Sequence, residues 1–344
     1  MKKTVLVLAV VVFLLAALSA CGAKGEVVNV YNWGEYIDTD VLKQFEKDTG
    51  IKVNYKTYET NEQLYSVLKQ GGVSFDVIIP SDYMISRMIN EGMLEKINMD
   101  NIPNLSYIDK SLMGLEYDPT GEYSVPYMTG IVGLIYNSKI ITDEIDSWGA
   151  LFDEKYAGKI LMFDNPRDAM GIALKCLGYS LNTTDKSELM EAYDLLVQQK
   201  PLLQAYVMDQ IFDKLESGEA AIGPYYAGDY LLMYENNPDL KLVIPKEGTN
   251  RFVDAMCIPK GAENKENAEI FINYMCSVDA SMKNAEFIGY TSPNTEVEKV
   301  IELEDYEREV MYPPKELLQN CEFFVNLPQD ILDLYDELWV SLKK

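Results

Sequence analysis

Aromatic rings and carboxylates recur together where the sequence predicts strands to end. After the strand at 27–31 come Asn32-Trp33-Gly34-Glu35-Tyr36, and after the strand at 75–79 come Pro80-Ser81-Asp82-Tyr83. After 159–163 come Asp164-Asn165-Pro166-Arg167-Asp168, and after 220–225 come Tyr226-Ala227-Gly228-Asp229. A last apolar strand, 253–258, follows Phe252 and itself carries Asp254. Ring faces attract cations through their quadrupole, by about 0.5–2 kcal/mol each depending on exposure. Carboxylates accept charge-assisted hydrogen bonds from amines. The chemistry these residue types can do together is the capture of a desolvated organic ammonium.

Each residue also has a plainer reading. Asn165 before Pro166 makes a good N-cap and N1 pair, which puts Asp168 at N3 of the same helix. Asp82 and Asp229 likewise fall in first turns, where the helix dipole favours acids, and Trp33 alone would suit a core. Asp254 is harder to place this way, because an unpaired carboxylate in an apolar strand is costly. The clustering matters too. Helix N-termini without acids favour anions, whereas acids at these positions turn the edge toward cations.

Composition narrows the chemistry further. The chain has 344 residues, 30 Lys and Arg against 55 Asp and Glu, and no histidine. The charge of −25 repels nucleic acid and anionic lipid and attracts cations. Only Arg87, Arg167, Arg251 and Arg308 could supply the guanidinium fork that best clamps carboxylates and phosphates, which weighs against an anion ligand. Without histidine, Ser-His, Cys-His and His-metal chemistry are absent. Cys176, Cys257, Cys276 and Cys321 match no zinc or redox spacing and read as buried thiols, although disulfides stay possible. No metal or cofactor is expected.

The N-terminus reads as a targeting segment. Lys2 and Lys3 precede an apolar run over 4–17, of signal-peptide length and too short for a membrane span. The run closes on Leu18-Ser19-Ala20-Cys21-Gly22, which resembles the lipobox of bacterial lipoproteins. Residues 1–20 are therefore expected to be removed and Cys21 to carry lipid. Losing Lys2 and Lys3 takes the formal charge from −25 to −27. No later stretch is apolar enough to span a bilayer, so the expected product is soluble and tethered only at Cys21.

Stepping strand and helix signals position these residues. A helix starting near the cap Thr39 presents Val41, Leu42 and Phe45 inward and stops at Gly50. A strand at 51–55, a helix at 61–71 and a helix at 81–92 continue the first set. A second set starts after Gly130-Ile131-Val132-Gly133, with a helix at 166–177, another near 188–198, and a strand at 241–244. Helices dominate from Asn264 onward. The alternation predicts an α/β protein with largely parallel sheets. Two such sets predict two lobes with a ligand cleft beyond the carboxyl ends of the strands.

The motifs together resemble the bacterial spermidine/putrescine-binding proteins, the substrate receptors of polyamine ABC transporters. The resemblance runs from about Val27 to the C-terminus through Tyr31-Asn32-Trp33-Gly34-Glu35-Tyr36, Phe45 to Val53, Thr57 to Glu62, and Pro80-Ser81-Asp82-Tyr83. It continues through Ser124-Val125-Pro126-Tyr127, Pro245-Lys246-Glu247-Gly248 and Ile288 to Asn294. It implies a two-lobed periplasmic-binding-protein fold of type II-like form. Lobe 1 would comprise residues 27–129 and 255–298, and lobe 2 residues 130–254 and 299–344. It also implies ligand contacts from Trp33, Glu35, Tyr36, Ser81 and Tyr83 on the first lobe. Asn165, Asp168, Tyr226 and Asp229 would come from the second, with Phe252, Asp254 and Tyr290 near the crossovers. Asp168 and Asp254 stand where the family binds amines, and Trp33, Tyr226, Phe252 and Tyr290 where it boxes the aliphatic chain.

Departures leave the choice of diamine or triamine open. Tyr226 and Phe252 replace tryptophans of the spermidine pattern, Asn165 replaces an acid, and an aromatic at Phe323-Phe324 stands where a glutamine is expected. Asp229 matches putrescine-receptor versions instead. The expectation is a monomeric, non-enzymatic polyamine receptor serving a membrane permease and its ATPase. A receptor for another small cation, such as a quaternary amine, is the nearest alternative. An extracytoplasmic carboxylate-based glycoside hydrolase is the remote one.

Overall fold

The computed structural model describes residues 26–344; the expected signal peptide and Cys21 lie outside the described residues. The first strand, β1 (Val27–Trp33), leads into helix α1 (Thr39–Thr49), which buries Val41, Leu42 and Phe45. Its cap is Asp38 rather than Thr39, because the Asp38 carboxylate accepts the Asp40 N–H at 2.8 Å. The helix stops at Gly50, whose φ of 77° is left-handed. Then follow β2 (Lys52–Tyr58), α2 (Asn61–Gln70), β3 (Val77–Ile78), α3 (Asp82–Asn90) and β4 (Leu94–Glu95).

Short 3₁₀ turns lead to β5 (Ser124–Asn137), a strand the sequence reading did not include because Pro126, Gly130 and Gly133 disguise it. The second half of the chain adds β6 (Ile160–Phe163), α4 (Pro166–Leu177), α5 (Lys186–Gln199), β7 (Leu203–Val207), α6 (Ile211–Glu216) and β8 (Ile222–Tyr226). It continues with α7 (Ala227–Asn236), β9 (Leu240–Val243), β10 (Asn250–Pro259), α8 (Lys265–Met275) and α9 (Val278–Ile288). The last elements are α10 (Val297–Val300), α11 (Asp305–Met311), β11 (Glu322–Phe323) and α12 (Gln329–Lys343).

The strands hydrogen-bond in the order β2-β1-β3-β10-β5-β8-β6-β7, with β4 and β11 on β10 and β9 on β5. Pairs at the two ends, β1 with β2 and β3, and β6 with β7 and β8, are parallel. The two long central strands run antiparallel to each other and to most of their neighbours. The mixed α/β class follows, with parallel ends joined through an antiparallel middle.

The strand β5 changes partner midway. Over Ser124–Ile131 it pairs with β10, and from Val132 to Asn137 it pairs with β8 and β9. Helices α8 and α9 pack on β1 and α1, while α11 packs on α7 and α12 on α4 and α5. The β5–β10 pair forms a common spine between the two sets of elements, and the strand ends noted above gather along it. Cys257 and Cys276 are buried, Cys176 and Cys321 half-buried, and all four are free thiols.

Candidate ligand-binding site

Asp254 lies at a distortion of the spine. Along β10, Asp254 pairs with Met128 but Ala255 pairs with Pro126, so β5 carries one extra residue, Tyr127. Bulges of this kind re-aim side chains and tolerate proline, which has no N–H to give. Tyr127 uses its freedom to donate to the Tyr36 carbonyl at 2.9 Å. On the other side, Ser81 forms an isolated bridge with Asp254.

The Asp254 carboxylate accepts the Tyr36 hydroxyl at 2.6 Å and the Ser81 hydroxyl at 2.7 Å. Ser81 is the N-cap of α3, yet its hydroxyl is diverted to Asp254 and leaves the helix uncapped by side chain. Asp254 is 5% exposed. Burial pushes its pKa up to about 6, with the two hydroxyl donors opposing the rise. These donors are neutral, so the charge itself has no partner.

Two more carboxylates stand at equivalent places on helix starts. Asp168 is the third residue of α4, where Asn165 accepts the N–H of Arg167 at 2.9 Å and Pro166 occupies N1. Asp229 is the third residue of α7. Burial lifts Asp168 to about 6, moderated by the charge of Arg167 and by bonds from Tyr226 and Asn250. Asp229 keeps a partly exposed edge, yet burial still lifts it to about 7 against the Tyr290 hydrogen bond. The helix dipole would lower both values; desolvation wins.

Rings connect the carboxylates. Tyr290 donates to Asp229 at 2.9 Å, and Tyr226 reaches Asp168 at 3.4 Å. The Tyr226, Phe252 and Tyr290 rings touch in sequence, edge to face, with centroids 5.7 Å apart at each step. Tyr290 also meets Tyr36 at 5.7 Å, which returns the chain of contacts to Asp254. Two glycines let the rings in. A Cβ on Gly130 would sit 2.3 Å from the Phe252 ring, and one on Gly228 1.6 Å from Tyr290. Tyr290 is further pinned by the reciprocal bonds of Thr291 with Thr129 on β5, at 3.0 and 3.1 Å.

Eight of the expected residues thus form one continuous cluster: Tyr36, Ser81, Asp168, Tyr226, Asp229, Phe252, Asp254 and Tyr290. Trp33 joins at its edge, packed on Tyr58 at 4.6 Å, with its indole donating to the Ile79 carbonyl at 2.8 Å, two residues before Ser81. Tyr83 lies beyond the Asp168 end, its ring 5.9 Å from the Arg167 guanidinium. Two residues stand apart. Asn165 spends its carbonyl on the α4 cap, and Glu35 is exposed in the turn after β1, at a left-handed φ of 47°. A non-glycine residue there is strained, and such strain persists where the surroundings impose it.

Sequence reading missed several contributors. Glu62 accepts the Tyr83 hydroxyl at 3.1 Å. Asp82, read as a helix-start acid, is buried beneath the cluster and accepts the N–H of Tyr83 at 2.7 Å and of Val253 at 3.2 Å. Asn250 is buried beside Asp168 with its side-chain oxygen unpartnered, and both border a small cavity with room for about one water. A buried polar residue opening an apolar strand was the available signal for Asn250. Among the described residues no cluster of acids, cysteines or histidines could hold a metal ion. The Tyr226, Phe252, Tyr290 and Tyr36 rings thus run in edge-to-face contact from the Asp168 side to the Asp254 side.

Residues 40–311 match the model of a family described as bacterial extracellular solute-binding proteins. The chain is 34% identical over 316 residues to the spermidine/putrescine-binding periplasmic protein of Escherichia coli K12, covering 91% of this chain and 90% of that one. Among solved structures it resembles the spermidine/putrescine ABC transporter substrate-binding protein PotD of Streptococcus pneumoniae. That likeness has a TM-score of 0.84 and 34% identity, and covers 92% of this chain and 98% of the other. It also resembles the Tp0655 lipoprotein of Treponema pallidum, with a TM-score of 0.85, 28% identity, and coverage of 92% and 99%.

Proposed function

The chain belongs to the bacterial extracellular solute-binding proteins, and we propose that it captures a polyamine, spermidine or putrescine, and hands it to the permease of an ABC transporter. The observation that carries this reading is the cluster itself: three buried or half-buried carboxylates, none of them in a salt bridge among the described residues, linked by a continuous chain of rings. Unpaired buried charge is costly. Protonated amines beside these acids remove that cost, and ring faces suit the methylenes and the charge between.

In this reading Asp254, with Tyr36 and Ser81, holds one amine, Asp168 holds the other end, and Asp229, bonded to Tyr290, adds negative charge along the chain. Trp33, Tyr226, Phe252 and Tyr290 flank the chain, while Tyr83, Glu35 and Asn165 line its approaches. The lobes are residues 27–129 with 255–298 and residues 130–254 with 299–344. The helix packing on either side of the β5–β10 spine supports that division. Rotation about the spine parts the rings to admit the ligand. The protein acts as a monomer, turns nothing over, and is tethered through a lipid on Cys21. Among the described residues no helix is long and apolar enough to cross a membrane.

Titration calorimetry of the purified protein with spermidine, putrescine, betaine and an oligopeptide tests the ligand class. Tight binding of a polyamine alone is expected; comparable weak heats for all four would end the polyamine reading.

A further inference from the structure

One group in the cluster carries a charge that opposes the ligand. Arg167 is the second residue of α4, immediately before Asp168. Its guanidinium carbon lies 4.5 Å from the centre of the Phe324 ring, 5.5 Å from Tyr335 and 5.9 Å from Tyr83. Tyr83 follows β3 and so approaches from the opposite set of elements. One terminal nitrogen donates to the Val325 carbonyl at 3.3 Å and to the Asn182 side chain at 3.4 Å. The Nε and the other terminal nitrogen are buried without an acceptor.

Rings and neutral oxygens therefore hold this guanidinium in place of a close carboxylate fork. Its charge is not absorbed by a tight pair and acts on its surroundings, favouring the ionised forms of Asp168 and Asp82. The same field acts on anything that docks at Asp168. A resident cation helps keep the carboxylate charged for one amine, and repels a second amine brought to the same end. Repulsion between like charges in a poorly solvated setting is strong enough to discriminate ligands.

We propose that Arg167 is a specificity-determining residue, a built-in cation at the Asp168 end of the cluster that lowers affinity for a triamine relative to a diamine. The inference rests on the polyamine reading above. A purely structural role is the competing account, in which Arg167 pegs the segment around Phe324 and Val325 onto α4. That role would weaken both ligands together when the residue is replaced.

The test is calorimetry of putrescine and spermidine with the wild-type protein and with Arg167→Lys, Arg167→Gln and Arg167→Met. The methionine variant keeps an apolar stem against Phe324 and Tyr335, and gives the reading if the glutamine variant does not fold. Loss of the charge is expected to shift the ratio of the two dissociation constants toward spermidine by about tenfold, while lysine keeps the ratio near wild type. If the wild type binds both ligands and the ratio stays within about threefold in the neutral variants, Arg167 does not set specificity and the polyamine reading stands. If the wild type binds neither, the polyamine reading itself fails.

Discussion

Asp254 accepts two short hydrogen bonds from hydroxyls and is still pushed up to about 6 by burial. Neutral donors do not replace a counter-charge, so the charge of Asp254 stays uncompensated. Replacing it by asparagine keeps the shape and removes the charge that an amine would pair with. Asp254→Asn is expected to weaken polyamine binding by well over tenfold, since the amine would be desolvated without a charged partner. Calorimetry reads this directly, and unchanged affinity would remove Asp254 from the site.

The three raised carboxylates also give binding a pH dependence of definite sign. Burial lifts Asp168 and Asp254 to about 6 and Asp229 to about 7. A bound amine favours their ionised forms, so binding expels protons, and affinity falls as pH drops through 7 and then 6. The stability of the empty protein runs the other way. These folded values lie above the unfolded value of 3.8, so their contribution is full below about pH 4 and is lost as pH rises through 6 to 7. Calorimetry in buffers of different ionisation enthalpy should show more protons released at pH 6 than at pH 8. Equal release at both would mean that these acids do not meet the ligand.

Among the elements, the start of α7 bears the tightest constraint. A Cβ at Gly228 would overlap the Tyr290 ring and lie 2.9 Å from the Gly289 carbonyl, which as backbone cannot easily yield. Gly228→Ala should expel Tyr290 from its bond to Asp229, lowering stability by about 1–3 kcal/mol as overpacking does and weakening polyamine binding with it. Thermal melting with and without ligand checks both, and an unchanged melting temperature would show that the ring and helix are free to separate.

The same elements show what the sequence could and could not disclose. Helix α4 is legible from end to end because Asn165, Pro166 and Gly178 punctuate it in the expected order. The partner switch within β5 is not legible, because Pro126, Gly130 and Gly133 argue locally against a 14-residue strand. Their reasons are tertiary: a bulge for Pro126, the Phe252 ring for Gly130, and Leu242 for Gly133. The strand β7 gave no signal either, since it is only half-buried along most of its length. Ser81 and Asp254 could be named from their strand-end positions and the family resemblance, but the diverted cap that joins them is a long-range bond between positions 173 residues apart.

At the scale of the whole molecule, the charge acts before any contact forms. The chain carries −25. A field of that sign draws a small polycation toward the surface and raises the encounter rate without changing contacts in the bound state. Screening shortens its reach, from a Debye length of about 30 Å at 0.01 M salt to about 8 Å at 0.15 M. The buried acids are screened far less once the ligand is enclosed. Association should therefore slow at least several-fold between these salt concentrations, while dissociation changes little. Trp33 at the edge of the cluster supplies the reporter, because a ligand that parts the neighbouring rings alters its surroundings. Stopped-flow fluorescence resolves the two rates. Salt-independent association with strongly salt-dependent dissociation would show that the acidic surface does not steer the ligand and that the amines stay in contact with solvent ions after binding.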